Sequence, residues 1–156
     1  MNKKPALEQI RNFYLLDSHT GTAGQPEPEE FQLIRQNGYE LVINLACHDS
    51  PHALENEARI AEKEDLEYIH LPVDFKAPTL QELEQFFTVM QKNENRSVFV
   101  HCALNWRVSC FIYLYRTIRK GIPETIARND LLQVWQPDQT WQEFIETAEK
   151  QLSGKK

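Results

Sequence analysis

The stretch "SVFVHCALNWRVSCFIYLYR", residues 97–116, sets Cys102 directly after a β-branched and aromatic run and puts Arg107 five positions further on. If the chain turns there from strand into helix, backbone amides of the segment Ala103, Leu104, Asn105, Trp106 and Val108 gather at the helix start. With the helix dipole they make an anion site. Arg107 adds a forked donor suited to an oxyanion. A thiol held beneath such a site ionises more readily than a free one and becomes a nucleophile. The pair alone is a weak signal, because cysteine is commonly a small buried hydrophobe. His101, just before the cysteine, is expected to orient the loop by hydrogen bonds rather than to act as a base.

The elements that must position this loop alternate along the chain. A first strand is expected near Phe13–Leu16 and a short helix over "PEPEEFQLIRQNGY", with Pro28 in its first turn and Gly38 at its end. "ELVINLA", residues 40–46, reads as a strand covered on both faces. A helix with Ser50 as N-cap and Pro51 at its first position follows, burying Leu54, Ala58 and Ala61. "EYIHLPV" is the next strand. Thr79 and Glu82 form a capping box before a helix with Leu83, Phe86, Phe87 and Met90 on one face. "SVFVH" is another buried strand, and the helix after it, roughly Val108 to Lys120, is apolar almost all round and ends at Gly121. Helices around Pro123–Val134 and Asp138–Leu152 close the chain, the last burying Trp141, Phe144, Ile145 and Ala148. "GTAGQPEP", near residues 21–28, is expected to frame one rim of the site.

Such alternation implies βαβ units: an α/β, three-layer fold with a mainly parallel, four- to five-stranded sheet flanked by helices. The 156 residues suit one domain over 1–156, with its core over about 13–152. In these sheets the site lies at the carboxyl ends of the strands. That rule nominates "ACHDS", "PVDFKAPT" and "CALNWR", and so reaches Cys102 by a second route.

Composition limits the partners. The net charge of −6 with no basic stripe argues against a nucleic-acid partner, since backbone binding needs clustered Lys and Arg. No run approaches the length of a membrane span, and the N-terminus lacks the apolar core of a secretory signal. Three cysteines without CxxC pairing argue against a disulfide framework, so a cytoplasmic, reduced protein is expected.

"VFVHC....R" after a buried strand, with "LPVDFKAPT" and "GQPEPEEFQLIRQNGYELVINL" upstream, resembles the cysteine-dependent protein tyrosine phosphatase superfamily. The likeness is greatest to small bacterial phosphatase-like proteins and covers roughly residues 13 to 120. It implies a (phosphotyrosine protein phosphatase)-like fold and a metal-independent hydrolase of the protein tyrosine or dual-specificity type, with no cofactor. The partner it implies is a phosphorylated protein or a small-molecule phosphoester. Carried onto this sequence, Cys102 attacks phosphorus, Arg107 holds the equatorial oxygens, and Asp74, between Pro72 and Pro78, protonates the leaving group.

One departure bears on activity. The family signature has five residues between Cys and Arg, and this sequence has four. Either the loop is one residue shorter and Arg107 still reaches the anion, or Val108 takes the usual Arg slot and Ser109 the Ser/Thr slot beside the thiolate. One residue of helical shift turns a side chain by about 100°. Asn105 stands where the family has glycine, and Asn tolerates the left-handed region best among the other residues. Two further readings therefore stay open: a weak or inactive phosphate-binding pseudo-phosphatase, and a rhodanese-like sulfurtransferase, whose loop resembles Cys-x4-Arg.

Cys47, just past the second strand, is a candidate redox partner for Cys102. Cys110 is expected in the core. His48 and His52 lack a third partner and do not imply a metal site. Trp106 is placed to wall the pocket.

Overall fold

The computed structural model describes residues 6–152. After a short 3-10 turn at Leu7–Gln9 come β1 (Tyr14–Leu15), β2 (Thr20–Ala23), α1 (Glu30–Gln36), β3 (Leu41–Asn44), α2 (Glu57–Lys63) and β4 (Glu67–His70). There follow α3 (Leu80–Lys92), β5 (Val98–His101), α4 (Trp106–Leu114, continued by a π-helical turn at Tyr115–Arg119), α5 (Glu124–Val134) and α6 (Gln139–Leu152). The strands form one sheet in the order β1-β2-β5-β3-β4. β2, β5, β3 and β4 run parallel, and β1 pairs antiparallel at the edge. This is the expected three-layer α/β arrangement.

The central strands β3 and β5 are buried on both faces, so period-2 alternation sorts their side chains between two cores. Leu41, Ile43, Val98 and Val100 belong to one, packed with residues of α3, α4, α5 and α6. Val42 and Phe99 belong to the other, with Phe31 and Ile34 of α1 and Ala61 of α2. The helical stripes behave as their spacing requires: Leu83, Phe86, Phe87 and Met90 of α3 are buried, as are Trp141, Phe144, Ile145 and Ala148 of α6. The capping box is formed, with Glu82 N donating to Thr79 Oγ1 at 3.2 Å and Thr79 N to Glu82 Oε1 at 3.0 Å.

Three elements differ from the sequence reading. β2 arises from "TGTA", read as part of a rim. Small residues carry little strand signal, but here close approach demands them. A Cβ on Gly21 would lie 2.6 Å from the Tyr39 hydroxyl oxygen, and one on Gly24 2.5 Å from the Ala103 carbonyl oxygen. α2 begins at Glu57, not at Ser50 and Pro51. Ser50 instead closes a turn, its Oγ accepting from Cys47 N at 3.0 Å, and His52 takes a left-handed φ of 69° that ends any helix there. Ala58 is exposed as a result. Finally, α4 begins at Trp106, two residues earlier than expected, because Asn105 takes the left-handed turn (φ 69°) that starts it.

Candidate active site

The loops after β3, β4 and β5 meet at the carboxyl edge of the sheet. Cys102 directly follows β5 and is 1% exposed; its amide donates to Ala23 O at 3.3 Å. The loop beyond it is held from behind. Gln25 N donates to Ala103 O at 3.0 Å, Asn12 Nδ2 to Leu104 O at 2.9 Å, and His101 Nδ1 lies 3.2 Å from Cys102 O. C=O and N–H point opposite ways across a trans peptide. With the carbonyls of Cys102 and Ala103 turned back, the amides of Ala103 and Leu104 face forward, and the first-turn amides of α4 lack intrahelical partners. The turn itself is fixed by Asn105, whose Nδ2 donates to Asn12 O and Thr22 Oγ1, each at 3.0 Å.

Cys47, Asp74, Cys102, Ala103, Leu104, Trp106 and Arg107 line one cleft of about 430 Å³, within the range of small-molecule sites. Arg107 is 5% exposed. Its Nη1 donates to Val73 O at 2.8 Å and its Nη2 to Ser50 Oγ at 3.4 Å, while its Nε has no hydrogen-bond partner among the described residues. A buried donor left unpaired is costly, so an oxyanion in the cleft would relieve it. Val108 is buried in the core, and the Ser109 hydroxyl donates to Trp106 O at 2.9 Å; neither lines the cleft. Arg107, and not Val108 or Ser109, is therefore the residue of this helix turn that lines the cleft beside Trp106.

Asp74 is exposed on the opposite rim, its Oδ1 accepting from Lys76 N at 2.9 Å. The loop carrying it is anchored on both sides, by Arg107 at Val73 and by Trp141 Nε1, which donates to Phe75 O at 2.9 Å. Phe75 lies against Trp106, Trp135 and Trp141, with ring centroids 5.9 to 6.0 Å apart. Trp106 stacks on Trp135 at 4.7 Å, nearly parallel. The Cys47 thiol donates to Val73 O at 3.4 Å. Burial pushes the Cys47 thiol up, against a lowering influence from Arg107. Cys110 lies in the core, its thiol pushed far up by burial. His48 stacks edge-on against His70, and among the described residues no group of three His, Cys, Asp or Glu converges as metal ligands would.

Sequence reading missed the residue behind the loop. His101, fully buried on the far face of the sheet, directs its Nε2 to the Glu57 carboxylate. Glu57 also accepts from Gln25 Nε2 at 2.9 Å. Glu57 was not singled out beside the expected stripe of Leu54, Ala58 and Ala61, and no local motif marked it. Phe75 and Ser50, by contrast, flank residues already singled out.

A family model described as "PTP-NADK: DSP-PTPase phosphatase fused to NAD+ Kinase" matches residues 17–151. The chain belongs to this DSP-PTPase family. Solved structures extend the likeness. A DUF442 candidate phosphatase from Shewanella putrefaciens CN-32 is 27% identical, with a TM-score of 0.84 over 94% of this chain and 96% of that one. The Tk-PTP structure is 18% identical, with a TM-score of 0.74 over 90% of this chain and 97% of that one. The core catalytic domain of the PP-IP phosphatase SIW14 from S. cerevisiae is 14% identical, with a TM-score of 0.73 over 93% and 90%. The last two show the fold alone. No curated protein sequence matches the chain. Cys102 directly follows the central strand of the sheet, β5, and lies just before the start of α4. No helix among the described residues is long and apolar enough to cross a membrane.

Proposed function

We propose that the protein is a metal-independent phosphatase that hydrolyses a phosphomonoester, on a protein or a small molecule, through a phosphocysteine. The Cys102 thiolate attacks phosphorus, forming the S–P bond as the P–O bond to the leaving alcohol breaks. Asp74 gives its proton to the departing oxygen. A water, losing its proton to the Asp74 carboxylate, then attacks phosphorus, and phosphate leaves with the thiolate restored. Arg107 and the amides of Ala103 and Leu104 stabilise the charge spread over the equatorial oxygens. Positioning and electrostatics therefore supply the catalysis. The observation that carries this reading is the meeting of Cys102, Arg107 and Asp74 in one cleft, with a buried Arg107 donor still unpaired.

Turnover of 4-nitrophenyl phosphate tests it. Cys102→Ser is expected to abolish turnover, Arg107→Lys to lower kcat/KM by about 10²-fold or more, and Asp74→Asn to lower kcat by about 10²-fold. The loss in Asp74→Asn should be greater for alkyl than for aryl leaving groups. Binding of phosphate or vanadate without turnover would instead mark a pseudo-phosphatase, and thiosulfate-to-cyanide sulfur transfer a sulfurtransferase.

Cys47 lines the same cleft, which supports a second role for the pair. Peroxide would oxidise the Cys102 thiolate to a sulfenic acid. Condensation with the Cys47 thiol would expel water and leave a disulfide that a thiol reductant reopens.

A further inference from the structure

Arg107 is buried, yet among the described residues its hydrogen-bond partners are two neutral oxygens. Nη1 donates to Val73 O at 2.8 Å and Nη2 to Ser50 Oγ at 3.4 Å, and the Phe75 ring centroid lies 5.8 Å from the guanidinium carbon. A guanidinium is planar, with its N–H donors in a rigid fork. Pinning Nη1 and Nη2 therefore also fixes the direction of Nε–H, the donor left without a partner. Of the two pins, Val73 supplies a main-chain carbonyl, which any residue there would supply. Ser50 holds the fork with its side chain.

The two pins are tied to each other. Cys47 N donates to Ser50 Oγ at 3.0 Å and the Cys47 thiol to Val73 O at 3.4 Å. The loops after β3 and β4 thus close one ring of hydrogen bonds with Arg107. Cys47 N and Arg107 Nη2 occupy both lone pairs of the Ser50 hydroxyl, which fixes where its oxygen sits. The turn that presents Ser50 has main-chain support of its own: Ser50 N donates to Cys47 O at 3.0 Å and Ala53 N to Ser50 O at 3.1 Å. Ser50 also lines the cleft together with Arg107. A long side chain ordered in advance loses less rotamer freedom when an anion binds. A neutral acceptor achieves this without cancelling the charge, as a carboxylate would.

Resting on the phosphatase reading, we infer that Ser50 is a positioning residue for the phosphate clamp, its hydroxyl aiming the Arg107 fork at the phosphoryl oxygens before substrate arrives. Steady-state turnover of 4-nitrophenyl phosphate and calorimetric binding of vanadate, both on the full chain, test it. Ser50→Ala is expected to lower kcat/KM about tenfold and to raise the vanadate Kd several-fold, as loss of a hydrogen bond to a charged group would. Ser50→Thr, which keeps the hydroxyl, should stay within about threefold of wild type in both. A double-mutant cycle decides whether the effect runs through Arg107. In an Arg107→Ala background, Ser50→Ala should change the vanadate Kd by less than about twofold, because the group it acts on is gone. A hydroxyl that merely held the turn would cost the same in both backgrounds. Thermal unfolding accompanies each variant. Were Ser50→Ala not to fold, Ser50→Gly removes the same hydroxyl with a residue that turns accept.

Ser50→Ala within about twofold of wild type, Ser50→Thr as weak as Ser50→Ala, or an equal cost in both backgrounds would overturn the inference. The two readings fail separately. Wild-type turnover with no loss in Ser50→Ala sinks only the role of Ser50. Absent turnover, with the vanadate pattern intact, sinks only the catalytic reading.

Discussion

At the scale of single residues, the groups that matter lie in two shells separated by the sheet. In front, Arg107 spans Val73 and Ser50. Behind, Glu57 and His101 form a buried pair with 4% and 0% side-chain exposure. Removing one partner of such a pair strands the other in a low-dielectric interior, so Glu57→Ala should cost about 3–5 kcal/mol, read from urea unfolding. Glu57→Gln, which keeps the packing and one acceptor, should cost clearly less. Under the proposed mechanism both should lower kcat, since His101 Nδ1 lies against the Cys102 carbonyl. Cys47 supplies a pH prediction. Burial raises its thiol above the ordinary value of 9.0, so its thiolate fraction is small at neutrality and grows only on the alkaline side. Iodoacetamide should therefore label Cys47 slowly at pH 7 and markedly faster above pH 9, as peptide mass spectrometry would show. Peroxide should produce a Cys47–Cys102 crosslinked peptide pair, and its absence from peroxide-treated protein would remove the redox role.

At the scale of elements, the loop after β5 is shaped by a strand lying beside it. β2 sets Thr22 against Asn105 and leads into Gly24, which bridges to Leu104 and lies against the Ala103 carbonyl. In Gly24→Ala the new methyl would press on the Ala103 carbonyl at 2.5 Å, a backbone atom that yields only by moving the loop. The expected outcome is a loss of about 1–3 kcal/mol in stability and a fall in kcat/KM larger than that destabilisation explains under folding conditions, measured side by side by thermal unfolding and steady-state kinetics. This scale also shows where sequence reading succeeds and fails. The stripes of α3 and α6 and the capping box were readable because each is fixed within about four neighbouring residues; the left-handed Asn105 was readable only from the glycine that the resembled family has at that place, since its own partners are Asn12 and Thr22. The start of α2 was not, because Ser50 serves Cys47 and Arg107 rather than a helix end. β2 was not either, because Gly21 within it and Gly24 just past it answer to Tyr39 and Ala103, far along the chain.

At the scale of the whole molecule, tyrosines that are partly or fully buried bridge between elements. The Tyr14 hydroxyl on β1 donates to Asp130 of α5, which also pairs with Arg116. Burial, then the hydrogen bond and charge of Asp130, push Tyr14 up to about 12. Burial and nearby Glu57 push Tyr68 up to about 12. Tyr113, between Glu124 and Glu149, is raised further, mainly by burial. A folded-state value above the unfolded value of 10.0 means the folded chain holds these protons more tightly. Their stabilising effect is thus complete below pH 10 and is lost as pH climbs toward 12. The urea midpoint should hold steady from neutrality to pH 9 and drop steeply between pH 10 and 12. Tyr14→Phe should flatten part of that drop.

The sequence by itself determined the alternation of buried strands and amphipathic helices, hence the parallel sheet, and it put Cys102 and Arg107 at a strand-to-helix turn. Those features follow from periodicity and capping, which act over a turn or two of chain. Only the tertiary structure decided which way Arg107 points, that Glu57 sits behind His101, and that Phe75, Trp106, Trp135 and Trp141 make one wall. Each of these depends on residues far apart in the chain meeting at a given distance, as Arg107 meets Val73 and His101 meets Glu57, and no local pattern encodes such a distance.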